Sequence, residues 1–217
     1  MTKRQIIKKT AEYIKREFSD ETSGHDWWHI FRVWQLVKKI GKAERADMFV
    51  VEMAALLHDL GDYKLEPDRK DRQEEKVCSW LMKMGVAEKD KAHIVYVVTH
   101  ISFSKNVVST QELSLEGKVV QDADRLDAIG AIGITRAMVY TGFRNAPFYV
   151  PGTKSRTFRS AKDYQVRHTV GIQHFYEKLL LLKDKMNTKS AKKMAARRHR
   201  FMENYLSEFF AEWEGKR

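Results

Sequence analysis

The stretch that decides the fold is ADMFVVEMAALLHDLGD, residues 46–62. Its length and spacing predict a helix over residues 46–60 that is apolar on nearly every side and ends at Gly61. A helix with so little polar surface belongs at the centre of a protein, with other elements packed around it. The same helix finishes with two polar residues, His58 and Asp59.

That polar pair is unusual in such a setting. Burying an imidazole and a carboxylate together costs several kcal/mol of folding free energy unless the two groups are paired or bind a cation. The sequence therefore predicts a charged partner for His58 and Asp59. Asp62 lies four residues after His58, which is one turn further along if the helix continues.

Helical periodicity continues on both sides of this stretch. Apolar residues recur at intervals of three and four through most of the chain, and only 3 prolines and 11 glycines interrupt 217 residues. We therefore predict an all-α fold in a single domain, residues 1–217. The further helices are predicted at residues 3–19, 26–41 with Gly41 as the stop, 69–84, 88–101, 115–141 with a kink at the glycines, 162–186 and 190–213.

Residues 141–160 break the helical pattern. This stretch holds two of the three prolines and four basic residues, Arg144, Lys154, Arg156 and Arg159. Long loops inside compact domains often act as lids over a binding site. We therefore predict a basic loop here, with Arg144 and Lys154 as candidate contacts to substrate phosphate.

Composition and charge narrow the class of protein. No apolar stretch approaches the roughly 20 residues that cross a bilayer, and no run before the first helix resembles a signal peptide. The single cysteine, Cys78, cannot form an internal disulfide, so we expect a cytoplasmic protein. The net charge of +11 attracts polyanions such as nucleotides, nucleic acids or acidic lipids, or it is simply a soluble basic surface.

Two further stretches hold residues of metal-binding type. HDWWH, residues 25–29, places His25 and His29 four apart, on one face of a helix start. VVQDADRLD, residues 119–127, crowds three aspartates beside apolar neighbours. Mutual repulsion disfavours such a cluster unless a metal ion or an arginine neutralises it.

Together these stretches supply two histidines and two aspartates as a mixed nitrogen and oxygen ligand set. Such a set suits Mn²⁺, Mg²⁺, Fe²⁺, Co²⁺ or Ni²⁺ and disfavours ions that need thiolates. Four protein ligands in an octahedral field leave two positions for water and a substrate phosphate. Asp62 is a candidate catalytic residue that steers the attacking water or protonates the leaving group.

The order of these residues resembles the H…HD…D signature of the HD-domain superfamily of phosphohydrolases, over roughly residues 20–130. The chain is similar in detail to one subgroup of small bacterial HD hydrolases. It reads HDWWHIFRV at residues 25–33, ISFS at residues 101–104 and VQDADRLDAIGAIG at residues 120–133. HFYEKLL at residues 174–180 extends the resemblance into the C-terminal helices.

The resemblance implies an HD-domain helical bundle around one buried divalent ion, Mn²⁺ or Mg²⁺ before the others, with a C-terminal helical extension at residues 162–213. The metal ligands that it implies are His29, His58, Asp59 and Asp124. Asp62 falls where alarmone hydrolases and 5′-nucleotidases of the superfamily carry an acidic catalytic residue. For the subgroup the resemblance implies a nucleotide pyrophosphohydrolase that releases a nucleoside monophosphate and pyrophosphate.

Four neighbours of the predicted ligands have two interpretations each. His25 and Asp26 either contact the substrate or orient a ligand, and Asp26 is also suited to cap a helix. Arg32 either contacts phosphate or forms a structural salt bridge. Asp127 either contacts the ribose or pairs with a basic residue.

Other polar and aromatic residues are expected to be structural. His93 and His100 lie in a region where some HD enzymes hold a second metal, but here we expect one metal and structural histidines. Arg125 is expected to pair with an adjacent acid, and the basic run over residues 183–200 to be a solvated helix face. The tryptophans at positions 27, 28 and 34 are expected in the core, with base stacking as the alternative for Trp28.

Several functions stay open at this point. Within the enzyme class they are 5′-nucleotidase, triphosphohydrolase, alarmone hydrolase and cyclic-nucleotide phosphodiesterase. Outside it, the chain would be a basic nucleic-acid-binding helical protein with a structural metal, which no recognition motif supports. We expect a small nucleotide as the partner, neither nucleic acid nor membrane, and a homodimer as an option.

Overall fold

The computed structural model describes residues 1–19, 26–62, 71–101, 112–154 and 171–217. Every regular element in these ranges is an α-helix or a 3-10 helix, which confirms the all-α prediction. None of the described helices is long and apolar enough to cross a membrane. The chain divides into two compact units, Met1–Ala123 and Asp124–Arg217. The prediction of a single domain stays a prediction.

The first unit is built around the apolar helix. Its elements are α1 (Lys3–Glu17), α2 (Trp27–Glu44), α3 (Met48–Leu57), α4 (Gln73–Lys83), α5 (Glu88–His100) and most of α6 (Leu115–Asp127). Helix α3 packs against α1, α2 and α5. Its residues from Phe49 to Leu57, apart from Glu52, are at most 6% exposed. The prediction of a central helix is therefore confirmed, although α3 ends at Leu57, before the predicted boundary.

Gly41 does not stop α2, so that prediction was wrong. The helix continues to Glu44 and ends at Arg45, whose φ of 61° is left-handed. A Cβ on Gly41 would lie 3.1 Å from Met48 Sδ and 3.3 Å from Val51 Cγ2. The glycine therefore permits a close approach of α2 to α3 and does not serve as a helix terminator.

The helix predicted over residues 115–141 is two helices. Helix α6 ends at Asp127, and α7 (Gly130–Phe143) begins after Ile129, which has an extended backbone. Gly130 has a φ of 80°, and a Cβ there would lie 3.0 Å from Arg198 Cγ. The helix is interrupted here, where we predicted only a kink, because a left-handed residue cannot continue an α-helix.

The second unit contains α7, α8 (Gly171–Glu177), a 3-10 helix (Leu179–Lys185) and α9 (Lys189–Trp213). Helix α9 packs against α7 and the 3-10 helix. Its outer side is basic, since five of its cationic residues are exposed: Lys189, Lys192, Lys193, Arg197 and Arg200. The prediction of a solvated basic face is confirmed for these residues.

Two sequence boundaries in the second unit differ from the prediction. The helix predicted at residues 162–186 is observed as α8 and the 3-10 helix, and residues 162–170 lie outside the described ranges. The predicted loop at residues 141–160 begins after Phe143, because α7 extends that far. Its described part ends at Lys154, so Arg156 and Arg159 lie outside the described ranges.

Candidate active site

Three of the predicted ligands meet in the interior of the first unit. His29 comes from α2, while His58 and Asp59 follow the end of α3. The Nε2 atoms of the two histidines are 3.2 Å apart. The Asp59 carboxylate lies 3.6 Å from His29 Nε2 and 3.5 Å from His58 Nε2. All three side chains are buried, so this cluster of donor atoms is kept from bulk water.

The spacing of these donor atoms suits one divalent ion. Two ligand atoms that lie about 2.1 Å from an ion, at right angles to each other, are about 3.0 Å apart. The three observed separations, 3.2, 3.5 and 3.6 Å, are close to that value. Two imidazole nitrogens and a carboxylate oxygen, without a thiolate, also match the chemistry predicted for Mn²⁺ or a similar ion.

His58 is held in the tautomer that a metal requires. Its Nδ1 lies 2.8 Å from the backbone oxygen of Ala55. A carbonyl oxygen only accepts hydrogen bonds, so Nδ1 carries the proton and Nε2 keeps its lone pair. That lone pair is on the nitrogen that faces His29 and Asp59. The end of α3 thus prepares a metal-binding atom before any ion is bound.

The start of α2 fixes His29. The Asp26 carboxylate caps the helix and accepts a hydrogen bond from the His29 backbone N–H at 2.8 Å. This confirms the capping interpretation of Asp26, while its contact with substrate stays a prediction. Arg32, one turn after His29, is half-buried. Trp28 is 58% exposed, so the core interpretation is wrong for this tryptophan.

Helix α3 does not continue to Asp62. Gly61 has a φ of 77°, and the Asp62 N–H donates to the Asp59 carbonyl at 3.2 Å. A Cβ on Gly61 would lie 2.9 Å from the backbone oxygen of Arg72, so only glycine fits here. Asp62 is still 8% exposed and follows the two ligands on one tight turn. We name residues 58–62 the ligand turn.

Gln73 contacts the ligand turn, and the sequence patterns did not predict this contact. It is the first residue of α4 and is 4% exposed, and its side-chain amide donates to the backbone carbonyl of His58. The spacing of residues could have predicted its burial, because Gln73, Val77 and Leu81 recur four apart on the buried face of α4. A glutamine on an apolar stripe needs a hydrogen-bond partner inside the protein.

The fourth predicted ligand belongs to the second unit. Asp124 lies in the last turn of α6 and is half-buried, and its role as a ligand stays a prediction. Asp127 is 1% exposed, and its carboxylate pairs with Arg136 at 2.9 Å, which is the pairing alternative stated for this residue. Arg125 donates to the backbone carbonyl of Lys185.

The other predicted substrate contacts belong to the second unit or lie outside the described ranges. The Arg144 guanidinium sits over the Tyr140 ring, 5.9 Å from its centre. Lys154, Tyr149 and Tyr176 are among the residues that line a cavity of about 510 Å³ in the second unit. His25 lies outside the described residues. Contacts of Arg144, Lys154 and His25 with substrate stay predictions.

The two histidines considered for a second metal have structural neighbours. His93 Nε2 lies 2.9 Å from Ser114 Oγ and 3.5 Å from the Glu116 carboxylate. The His100 ring stacks on Tyr96 with ring centres 4.1 Å apart. His93 thus links α5 to the start of α6, whereas the stacking of His100 on Tyr96 is a contact within α5. The expectation of a single metal stays a prediction.

Comparison with known proteins identifies the family to which this chain belongs. The family model of the HD domain matches residues 27–129. YpgQ of Bacillus subtilis is 40% identical over 195 residues, which cover 89% of this chain and 87% of YpgQ. The chain belongs to the HD-domain superfamily.

Solved structures that are similar to this chain agree with this assignment. An HD-superfamily hydrolase from Bacillus thuringiensis matches with a TM-score of 0.76 and 38% identity, covering 98% of this chain and 99% of the other. A protein from Lactobacillus plantarum matches with a TM-score of 0.88 and 36% identity, over 99% and 100% of the two chains. YpgQ in complex with ADP matches with a TM-score of 0.77 and 38% identity, over 98% and 97%. This HD protein is a metal-dependent phosphohydrolase of the YpgQ-like subgroup.

Proposed function

We propose that this HD enzyme is a nucleotide pyrophosphohydrolase, which cleaves a nucleoside or deoxynucleoside triphosphate to the monophosphate and pyrophosphate. The observation that carries the proposal is the buried group of His29, His58 and Asp59, with Asp62 on the same turn. The YpgQ complex supports a nucleotide substrate, because that relative binds ADP. The net charge of +11 favours a polyphosphate over a neutral substrate.

The protein supplies donor atoms that are positioned in advance. The proposed ligands of one divalent ion, Mn²⁺ or Mg²⁺, are His29, His58, Asp59 and Asp124. A bound ion of this kind lowers the pKa of a water ligand and polarises a phosphoryl oxygen. The helix cap at Asp26 orients the backbone of His29, and the Ala55 carbonyl sets the His58 tautomer. Little reorganisation is then needed on binding.

Asp62 is the proposed general base. Its carboxylate accepts a proton from water while the water oxygen bonds to the α-phosphorus. The bond from that phosphorus to the bridging oxygen breaks, and pyrophosphate leaves with the electron pair. The proposed substrate contacts are His25, Asp26, Arg32, Asp127, Arg144 and Lys154.

Product analysis tests this proposal. Metal-free protein is incubated with ATP, dATP, GTP or AMP, with and without Mn²⁺ or Mg²⁺, and the products are separated by anion exchange. We expect metal-dependent release of monophosphate and pyrophosphate from the triphosphates. The variant Asp62→Asn should lose about 100-fold or more of the turnover rate and still bind Mn²⁺. The variant His58→Ala should lose both properties.

Other products would overturn the proposal in defined ways. Conversion of AMP to adenosine would make the protein a nucleotidase. ADP with inorganic phosphate, or nucleoside with tripolyphosphate, would place the cleaved bond elsewhere in the phosphate chain. An Asp62→Asn variant with full activity would remove Asp62 from the chemistry.

A further inference from the structure

We propose that Gln73 is a positioning residue of the metal site, and that its carboxamide fixes the ligand turn that carries His58, Asp59 and Asp62. This inference rests on the proposed function only through the metal at His29, His58 and Asp59. It assigns no contact between Gln73 and substrate.

The backbone carbonyl at the start of the ligand turn needs a partner. The last carbonyl groups of an α-helix have no intrahelical hydrogen-bond donor. Helix α3 ends at Leu57, so the His58 carbonyl belongs to this class. The Gln73 side-chain amide donates to it inside the protein. Since a carbonyl only accepts, the amide must present its NH₂ group here, which fixes the orientation of the carboxamide.

The far end of the ligand turn is also held by the start of α4. The Arg72 backbone N–H donates to the Gly61 carbonyl at 3.1 Å. The bare Cα of Gly61 lies against the same segment, because a Cβ there would be 2.9 Å from Arg72 oxygen and 3.1 Å from Gln73 Cα. Residues 72 and 73 thus contact the turn at its first residue and at its fourth. The ligands His58 and Asp59 have little freedom to move independently of α4.

The anchor itself is rigid. The Gln73 backbone N–H donates to the Asp71 carboxylate at 3.2 Å, and the next residues on its face, Val77 and Leu81, are fully buried. A side chain that starts from a packed helix transmits little motion to its hydrogen-bond partner. Loss of an outer hydrogen bond that orients a metal ligand typically weakens metal binding by about 10- to 100-fold.

A merely structural glutamine would behave differently. Removing it would lower the stability of the metal-free protein but would leave the metal affinity of the folded fraction unchanged. The chain offers a matched control at the same helix. Thr10 is 0% exposed, and its Oγ1 accepts a hydrogen bond at 2.9 Å from the indole N–H of Trp80 on α4. The variant Thr10→Val removes a partly buried hydrogen bond between α1 and α4 without changing a residue that contacts the ligand turn.

The experiment measures Mn²⁺ binding without nucleotide. Metal-free wild type, Gln73→Met and Thr10→Val are titrated with Mn²⁺ by calorimetry, and thermal unfolding of each metal-free protein is recorded. We expect the Mn²⁺ dissociation constant of Gln73→Met to rise about 10- to 100-fold. Thr10→Val should lower the unfolding temperature about as much as Gln73→Met does. It should change the Mn²⁺ dissociation constant less than about twofold.

Equal dissociation constants for Gln73→Met and Thr10→Val would overturn the proposal. If Gln73→Met does not fold, Gln73→Glu replaces it, since this variant keeps the side-chain length and removes the N–H donor; the same comparison then decides. Because no nucleotide is present, the outcome is independent of the reaction catalysed. Wild type that binds Mn²⁺ but releases no pyrophosphate would end the proposed function and leave the test of Gln73 intact.

Discussion

Two turns of this protein carry predicted metal ligands, and they are held by different kinds of contact. The ligand turn in the first unit is held by neutral groups: an amide from Gln73, a backbone N–H from Arg72 and the bare Cα of Gly61. The turn at the end of α6, in the second unit, begins at Asp124 and is contacted by the guanidinium groups of Arg136 and Arg198. We name residues 124–130 the α6 turn.

The α6 turn is stabilised by arginines. Arg198 of α9 donates to the Leu126 carbonyl, and its stem packs on Gly130. Arg136 of α7 pairs with the buried Asp127. Burial lowers the pKa of the Arg198 guanidinium, and nearby Asp127 counteracts this effect. The stability of the ligand turn depends on packing and hydrogen bonds. The stability of the α6 turn also depends on pairing between oppositely charged side chains inside the protein.

The substitution Gly61→Ala should have the largest effect on stability. The new Cβ meets the backbone of Arg72, and alanine disfavours a φ of 77°. Overpacking and left-handed strain together should lower the free energy of unfolding by about 4 kcal/mol. Urea denaturation of the metal-free protein measures this value. Gly152→Ala, at a positive φ with open space around it, is the control for strain alone. Equal losses in the two variants would contradict the packing argument.

The substitution Arg136→Met should destabilise the α6 turn, with a slightly smaller loss of unfolding free energy than Gly61→Ala. It removes the guanidinium that pairs with the buried Asp127 carboxylate at 2.9 Å, which should lower the free energy of unfolding by about 3 kcal/mol. Adding Asp127→Asn should recover part of that loss, because the buried negative charge is then removed as well. A double-mutant cycle in urea gives the coupling energy. A coupling near zero would show that Arg136 stabilises the turn by packing only.

Acid should affect the second unit through His174. Burial, and to a lesser extent the charge of Lys178, lower the His174 pKa from 6.5 to about 3. The folded protein therefore excludes a proton that the unfolded chain binds, so stability is lost as the pH falls from 6.5 towards 3. His174→Gln should retain on the order of 2 kcal/mol more stability at pH 4, relative to pH 7, than wild type does.

Chemical denaturation at the two pH values checks this prediction. Lys178→Met is the matched variant, because it removes only the smaller of the two causes and should recover less of the stability. Wild type and His174→Gln with parallel pH dependence would contradict the assignment to His174.

The comparison of the two turns also separates what could be predicted from what could not. Apolar periodicity predicted α3 and its burial, and the resemblance to HD-domain proteins predicted that His29, His58 and Asp59 converge. Capping chemistry predicted the role of Asp26. In each case the physical cause lies within about one helical turn of the residue concerned.

The errors have a common physical origin. Gly41 and Gly130 look alike in the sequence, yet the first permits helix contact and the second breaks a helix. Both lack room for a Cβ, against Met48 in one case and Arg198 in the other, and what distinguishes them is the positive φ of Gly130. A glycine in a sequence indicates either a close approach of another segment or a positive φ. The sequence alone does not tell which of the two applies, because that depends on the tertiary packing.

The resemblance to HD-domain proteins pointed to His29 and Asp124 as further candidate ligands. Local patterns in the sequence predicted the all-α class, the apolar central helix and the need of His58 and Asp59 for a partner. These properties follow from local periodicity and from the cost of burying polar groups without partners. The tertiary structure decided what supports those residues, since the Gln73 amide and the Arg198 guanidinium come from helices 15 and 72 residues away from the carbonyls they bind. Periodicity states which face of a helix is buried. It does not state what that face is buried against, because that depends on contacts between distant segments.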